Sequence, residues 1–127
     1  MRKRVLVIDD KEDIRSSFRL ALEGTEYQLD TAESGERGLE MILAQNYDIV
    51  YLDLKMPGMD GTETLRELRK INKDVPVYII TAFHNEFIDQ LKGLQKEGIE
   101  FELLKKPIGS DQILTVTKGV LEEPTSY

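Results

Sequence analysis

The sequence predicts an α/β domain: a doubly wound, five-stranded parallel sheet with helices on both faces. Three observations carry this. Short, continuous apolar runs recur along the chain, amphipathic stretches of helical period lie between them, and glycines and capping residues punctuate the junctions. Continuous rather than alternating apolar runs mark strands buried on both faces. Strands that alternate with helices pair in parallel, with right-handed crossovers.

The elements follow in order. VLVI (Val5 to Ile8) is the first strand. Ile14, Phe18, Ala21 and Leu22 then keep helical spacing, and Gly24 stands where that helix should end. YQLDT (Tyr27 to Thr31) is a weaker second strand, followed by a helix marked by Leu39, Ile42 and Leu43. IVYL (Ile49 to Leu52) is the third strand. Asp60 and Glu63 have the spacing of a capping box and open a helix whose stripe is Leu65, Leu68 and Ile71. VPVYII (Val75 to Ile80) is the fourth strand, with its proline near the start, where a strand tolerates it. Phe87, Leu91 and Leu94 mark the fourth helix, closed by Gly98. FELL (Phe101 to Leu104) is a weaker fifth strand, and Ile113, Val116, Val120 and Leu121 mark the last helix.

At 127 residues and 40% hydrophobic content the chain supports one core, filled by aliphatic residues because there is no tryptophan. We expect a single domain over residues 1–122 and a short tail over 123–127. The net charge of -7 argues against direct nucleic-acid binding, which needs a basic face, and against a membrane surface. The absence of cysteine excludes thiol chemistry. The opening MRKRVLVIDD has an apolar run too short for an export signal, and no stretch is long enough to span a bilayer. A cytoplasmic protein is the expectation.

In a doubly wound sheet, ligands bind beyond the carboxyl ends of the strands. Asp9 and Asp10 stand there after the first strand and Asp53 at the end of the third. Thr81 ends the fourth, and Lys105, Lys106 and Pro107 follow the fifth; Thr31 and Ala32, at the second, are bland. Three gathered carboxylates repel one another, and a divalent cation removes the repulsion. Mg²⁺ takes oxygen ligands and organises phosphate oxygens. A lysine ammonium and a threonine hydroxyl suit a phosphoryl group held beside it. An aspartate carboxylate can also attack phosphorus. Asp53, apart from the acid pair and followed by the loop KMPGMDG, is the best nucleophile.

These residues resemble the receiver domain of two-component response regulators, a chemotaxis-receiver-like, flavodoxin-like (βα)5 fold. VLVIDD, DIVYLDLKMPGMDG, VYIITA and LLKKP occur in the family's order and cover essentially the whole chain. The resemblance implies strand order 2-1-3-4-5. It implies that Asp53 is phosphorylated in a Mg²⁺-dependent reaction, from a sensor histidine kinase or a histidine phosphotransfer protein. Asp10 would ligate the metal directly, Asp9 through water, and the Lys55 carbonyl would complete the ligands. Thr81 would be the switch hydroxyl and Lys106 the phosphoryl-binding lysine, with a cis peptide bond before Pro107. Lys55 and Phe83 would flank the site and tune the phosphoryl lifetime. Output to an unidentified partner or effector domain would pass through the face made by the fourth helix, fifth strand and fifth helix. Two departures fall on that face. Leu103 stands where the family places an aromatic switch residue, with Phe101 two positions earlier, and the segment from Thr81 to Lys106 is longer than usual.

Such a domain is regulatory, catalysing only its own phosphotransfer and dephosphorylation. The alternative within the fold is a phosphorylation-independent interaction module. A flavin carrier of the same architecture is disfavoured by DDKED after the first strand, which would repel the cofactor's phosphate. An aspartate-dependent phosphatase would want an acid at position 55, where Lys55 stands. Met56 and Met59 read as loop packing, His84 as a surface loop residue, and the acids of VLEEP as a solvated helix end.

Overall fold

A computed structural model describes residues 2–82 and 84–122 of the chain. Phe83 and the expected tail, 123–127, lie outside the described residues. The elements alternate strictly: β1 (Arg4–Ile8), α1 (Glu12–Leu22), β2 (Gln28–Ala32), α2 (Gly35–Ala44), β3 (Ile49–Asp53), α3 (Gly61–Ile71), β4 (Val77–Thr81), α4 (Ile88–Lys96), β5 (Glu102–Lys105) and α5 (Ser110–Leu121). The strands form one parallel sheet in the order β2-β1-β3-β4-β5, as expected. Among the described residues no helix is long and apolar enough to cross a membrane.

The sheet divides the core in two. Leu6, Ile8, Val50, Leu52 and Ile79 face Leu65 and Leu68 of α3 and Leu94 of α4. Val5, Val7, Tyr51 and Ile80 face Phe18 of α1 and Ile113 of α5. Both faces are covered, so the central strands are apolar at consecutive positions. One polar pair crosses the second layer: the Tyr51 hydroxyl and Thr117 Oγ1 lie 2.6 Å apart, and Thr117 also donates to the Ile113 carbonyl. The Tyr51 ring packs between those of Phe18 and Tyr78, with centroids 4.7 and 5.9 Å away. Burial pushes the Tyr51 hydroxyl up to about 12, so it stays a neutral hydrogen-bonding group.

The amino-terminal ends of the strands are stapled together. The Arg4 N–H donates to Asp48 Oδ2 at 2.7 Å and the Asp48 N–H to the Arg4 carbonyl at 2.8 Å. From the last turn of α3, Arg69 donates to the carbonyls of Val75 (2.6 Å) and Glu100 (2.7 Å), tying the entries of β4 and β5.

Several details differ from expectation for local reasons. β4 begins at Val77, because Pro76 has no N–H and offers the ladder only its carbonyl, which accepts from Val50. β2 and β5 each run one residue further toward the carboxyl edge than their apolar runs. Leu43 and Ile71 fall off the buried stripes and are 70% and 41% exposed. The long segment after Thr81 is taken up by a 3-10 turn, His84–Phe87, running into α4. Met56 is buried in the core, in keeping with loop packing.

The loop after β3 is closely packed. Asp60 accepts from the Glu63 N–H at 2.9 Å and Glu63 returns the bond, forming the expected capping box. Gly58 sits at φ 75°, where other residues are strained. The Gly61 N–H donates to the Leu54 carbonyl at 2.8 Å. A Cβ on Gly61 would lie 2.2 Å from the Asp53 carbonyl oxygen and 2.7 Å from the Leu54 Cα. Those are backbone atoms and cannot turn aside. Gly61→Ala is therefore expected to cost about 3 kcal/mol, read as a lower denaturant midpoint with an unchanged slope.

Candidate functional site

Strand register brings the expected residues to one edge. Ile8 is level with Ala32 and Leu52, Asp53 with Ile80, and Thr81 with Lys105. Asp9 and Asp10 therefore emerge beside the end of Asp53's strand. The chain is pinned there by the Asp9 N–H donating to the Ala32 carbonyl and by Arg15 donating to the Asp9 carbonyl. On the other side, the Lys106 N–H donates to the Thr81 carbonyl at 3.0 Å. The Lys106–Pro107 peptide bond is cis.

The side chains converge. Asp9, Asp10 and Asp53 each offer a carboxylate oxygen within 4.8 Å of the others, a group able to hold a metal ion. Asp9, Asp53 and Thr81 are buried, whereas Asp10 is half-buried and open to solvent. Lys106 bridges two of the acids, with Nζ 3.0 Å from Asp9 Oδ2 and 3.3 Å from Asp53 Oδ1. Asp9 Oδ1 accepts the Lys11 N–H. Both Asp9 oxygens are thus engaged by the protein. Asp53 Oδ2, by contrast, is buried and accepts no hydrogen bond. An orphaned buried carboxylate oxygen, beside the more open Asp10 and in an all-oxygen donor set, fits a hard divalent cation.

Not every expected residue joins this group. Leu103 is level with Ile79, two positions short of Thr81, and is 37% exposed. Phe101 precedes β5 and packs under the α4 side of the sheet. By register it lies four residues from the level of Thr81, roughly 13 Å along the strand. Lys55 lies beside the site, with its ammonium 3.4 Å from Glu86 of the 3-10 turn. The tuning role expected of Phe83 falls outside the described residues. One residue the sequence reading passes over stands at the site: Lys11, with Nζ 3.4 Å from Asp10 Oδ1 and 3.9 Å from Asp53 Oδ2. Its signal is only its place after the acid pair, where a lysine ordinarily reads as solvated.

The Asp53 carboxyl is raised from 3.8 to about 6. Burial is the main cause and the Asp9 carboxylate adds to it, while Lys106 and Lys11 pull the other way. Between roughly pH 4 and 6 the folded chain keeps a proton there that the unfolded chain has lost. This contribution to stability is full below the unfolded value and is lost as pH rises through about 6. Without metal, Asp53→Asn is expected to be more stable than the parent by about 2–3 kcal/mol near neutral pH. The difference should shrink toward zero as pH falls to about 4, as urea unfolding over a pH series would read.

Residues 5–118 match the response regulator receiver domain family. The chain is 33% identical over 126 residues to the transcriptional regulatory protein ResD of Bacillus subtilis, covering 98% of this chain and 51% of that protein. It is 31% identical over 122 residues to the response regulator MprA of Mycolicibacterium vanbaalenii, covering 96% and 52%. The chain thus spans about half the length of these curated relatives. Among solved structures, a receiver domain of Francisella response regulator 1452 superposes with TM-score 0.77 at 29% identity, covering 94% and 96% of the two chains. The chemotaxis protein CheY4 of Vibrio cholerae superposes with TM-score 0.80 at 26% identity, covering 95% and 100%. With the strand order, the acidic edge and these relatives in agreement, the chain belongs to the response regulator receiver domain family, the regulatory domains of two-component signalling.

Proposed function

We propose that this domain is a phosphorylation-activated switch in which Asp53 accepts a phosphoryl group, in a Mg²⁺-dependent reaction, from a phosphohistidine on a sensor kinase or phosphotransfer protein. The observation that carries the proposal is the buried, unbonded Asp53 Oδ2 beside Asp10, with Lys106 fixed on the other carboxylate oxygen. Asp10 and Asp53 would hold the ion directly, with the Lys55 carbonyl. Asp9, whose oxygens are already engaged, would act through water. When bound, Mg²⁺ supplies neutralisation of the phosphoryl oxygens.

The chain's own residues do the rest. The Asp53 oxygen attacks phosphorus as the donor's phosphorus–nitrogen bond breaks, and the electron pair leaves with the imidazole. The Lys106 ammonium, already 3.3 Å from Asp53, stabilises the charge on the transferred group. Thr81, buried at the end of β4, would hydrogen-bond the new phosphoryl group. Its loop leads into the 3-10 turn and α4, so that movement biases the α4–β5–α5 face. Exposed Ile88 and Leu103 supply apolar contact there for an output partner or effector domain. With Leu103 in place of an aromatic and Phe101 four positions from Thr81, the readout would rest on backbone and α4 movement. A cytoplasmic setting belongs to the same proposal, and a chain without cysteine accords with it.

Intact mass after incubation with a small-molecule phosphodonor tests this. The expected result is a single phosphoryl adduct that requires Mg²⁺, is absent from Asp53→Asn, and forms about a hundred-fold more slowly in Lys106→Ala. No adduct from a small donor or a phosphohistidine protein, in a folded chain, would favour the phosphorylation-independent module.

A further inference from the structure

Lys11 directly follows the acid pair and occupies the N-cap position of α1, where an ammonium, a donor only, cannot cap the helix N–H groups. The ammonium leans back over the acidic site instead. It stands against Asp10 Oδ1 and Asp53 Oδ2, while Lys106 occupies Asp9 Oδ2 and Asp53 Oδ1. The two ammonium groups thus stand against four different carboxylate oxygens, one of Asp9, one of Asp10 and both of Asp53. At 3.9 Å the Lys11 contact with Asp53 is an ion pair but too long for a hydrogen bond, so Asp53 Oδ2 keeps its bonding capacity. The Lys11 side chain is 45% exposed, whereas that of Lys106 is 11% exposed. One ammonium is built in, and the other can withdraw into water on its flexible stem. Burial disfavours the Lys11 charge, but the Asp53 and Asp10 carboxylates outweigh it and hold the ammonium above its ordinary value.

We propose that Lys11 is a tethered counter-cation that competes with the divalent ion for Asp10 and Asp53 and is displaced when the ion binds. The proposal rests on the reading of Asp9, Asp10 and Asp53 as a Mg²⁺ site. The reason is electrostatic. Three carboxylates with Lys106 alone leave the site short of two positive charges, and Lys11 supplies one of them in the metal-free chain. A dication and an ammonium cannot share the same two oxygens, because at contact distance they repel. Lys11 therefore sets the ion concentration at which the site loads, and lowers the cost of leaving the site empty. It is a positioning residue for charge and takes no part in bond making.

The experiment measures Mg²⁺ binding by calorimetry, and thermal unfolding with and without Mg²⁺ at fixed ionic strength, for the parent, Lys11→Gln and Lys11→Arg. Lys11→Gln is expected to bind Mg²⁺ about three- to ten-fold more tightly. Lys11→Arg keeps the charge and should stay within about two-fold of the parent. Relative to the parent, Lys11→Gln should unfold at a lower temperature without Mg²⁺ than with it. Loss of a charge at the helix terminus alone would shift both conditions equally, so this dependence on Mg²⁺ separates the two roles. Equal affinities in parent and Lys11→Gln, or weaker binding by Lys11→Gln, would overturn the proposal while leaving the metal site intact. Equal stability shifts with and without Mg²⁺ would do the same. Absence of Mg²⁺ binding in all three chains would overturn the metal-site reading and this proposal together.

Discussion

Carboxylate repulsion at the buried edge of the sheet shapes everything around it. Asp9, Asp10 and Asp53 are brought together by the parallel register of β1 and β3, which the hydrophobic layers fix independently of charge. The strands cannot slip to separate the acids without turning apolar residues out of the core. The charges must therefore be met where they stand. Lys106 is held for that purpose by the bond from its N–H to Thr81, which joins the ends of β4 and β5. Arg15 reaches back to the Asp9 carbonyl, and the Lys11 N–H satisfies one Asp9 oxygen. The site is assembled by constraint on the main chain and neutralised by side chains whose anchoring ranges from rigid to loose.

That division explains which parts of the molecule were legible in the sequence. The strands follow from continuous apolar runs, their order in the sheet from the resemblance to the receiver family, and Asp53, Thr81 and the Lys105–Lys106 pair from their places at or just past the ends of those runs. The capping box at Asp60 is a local signal, legible from two residues three positions apart. Leu43 and Ile71 misled because a helix packed on a sheet buries a narrower stripe than its apolar residues suggest. Lys11 was passed over because a lysine's destination is decided by charges far away in sequence: Asp53 lies forty-two positions on and reaches Lys11 only through the β1–β3 pairing. The salt bridge of Lys55 with Glu86 was invisible for the same reason.

The β5 edge of the fold is built more loosely than its centre. β1 and β3 are buried along almost their whole length, whereas β5 is mostly exposed and four residues long. α4 begins from a 3-10 turn without a side-chain cap. Elements with little burial and weakly satisfied ends are those that rearrange at low cost. The carboxylate edge at Asp53 is thus flanked by the least buried strand of the sheet.

The staples at the amino-terminal ends of the strands bear on how a small displacement could travel. Arg4 with Asp48, and Arg69 with the carbonyls of Val75 and Glu100, fasten β1, β3, β4 and β5 at the end remote from the carboxylates. The ladder continues from those staples to the carboxylate edge, where the Asp9 N–H still holds Ala32 and the Lys106 N–H holds Thr81. Backbone bonding therefore runs the full length of the sheet, and what stands beyond it at the carboxylate edge are the strand-to-helix loops. A displacement at the carboxylate edge would thus fall on loops rather than on strands, and the base held by Arg4, Asp48 and Arg69 would keep its shape.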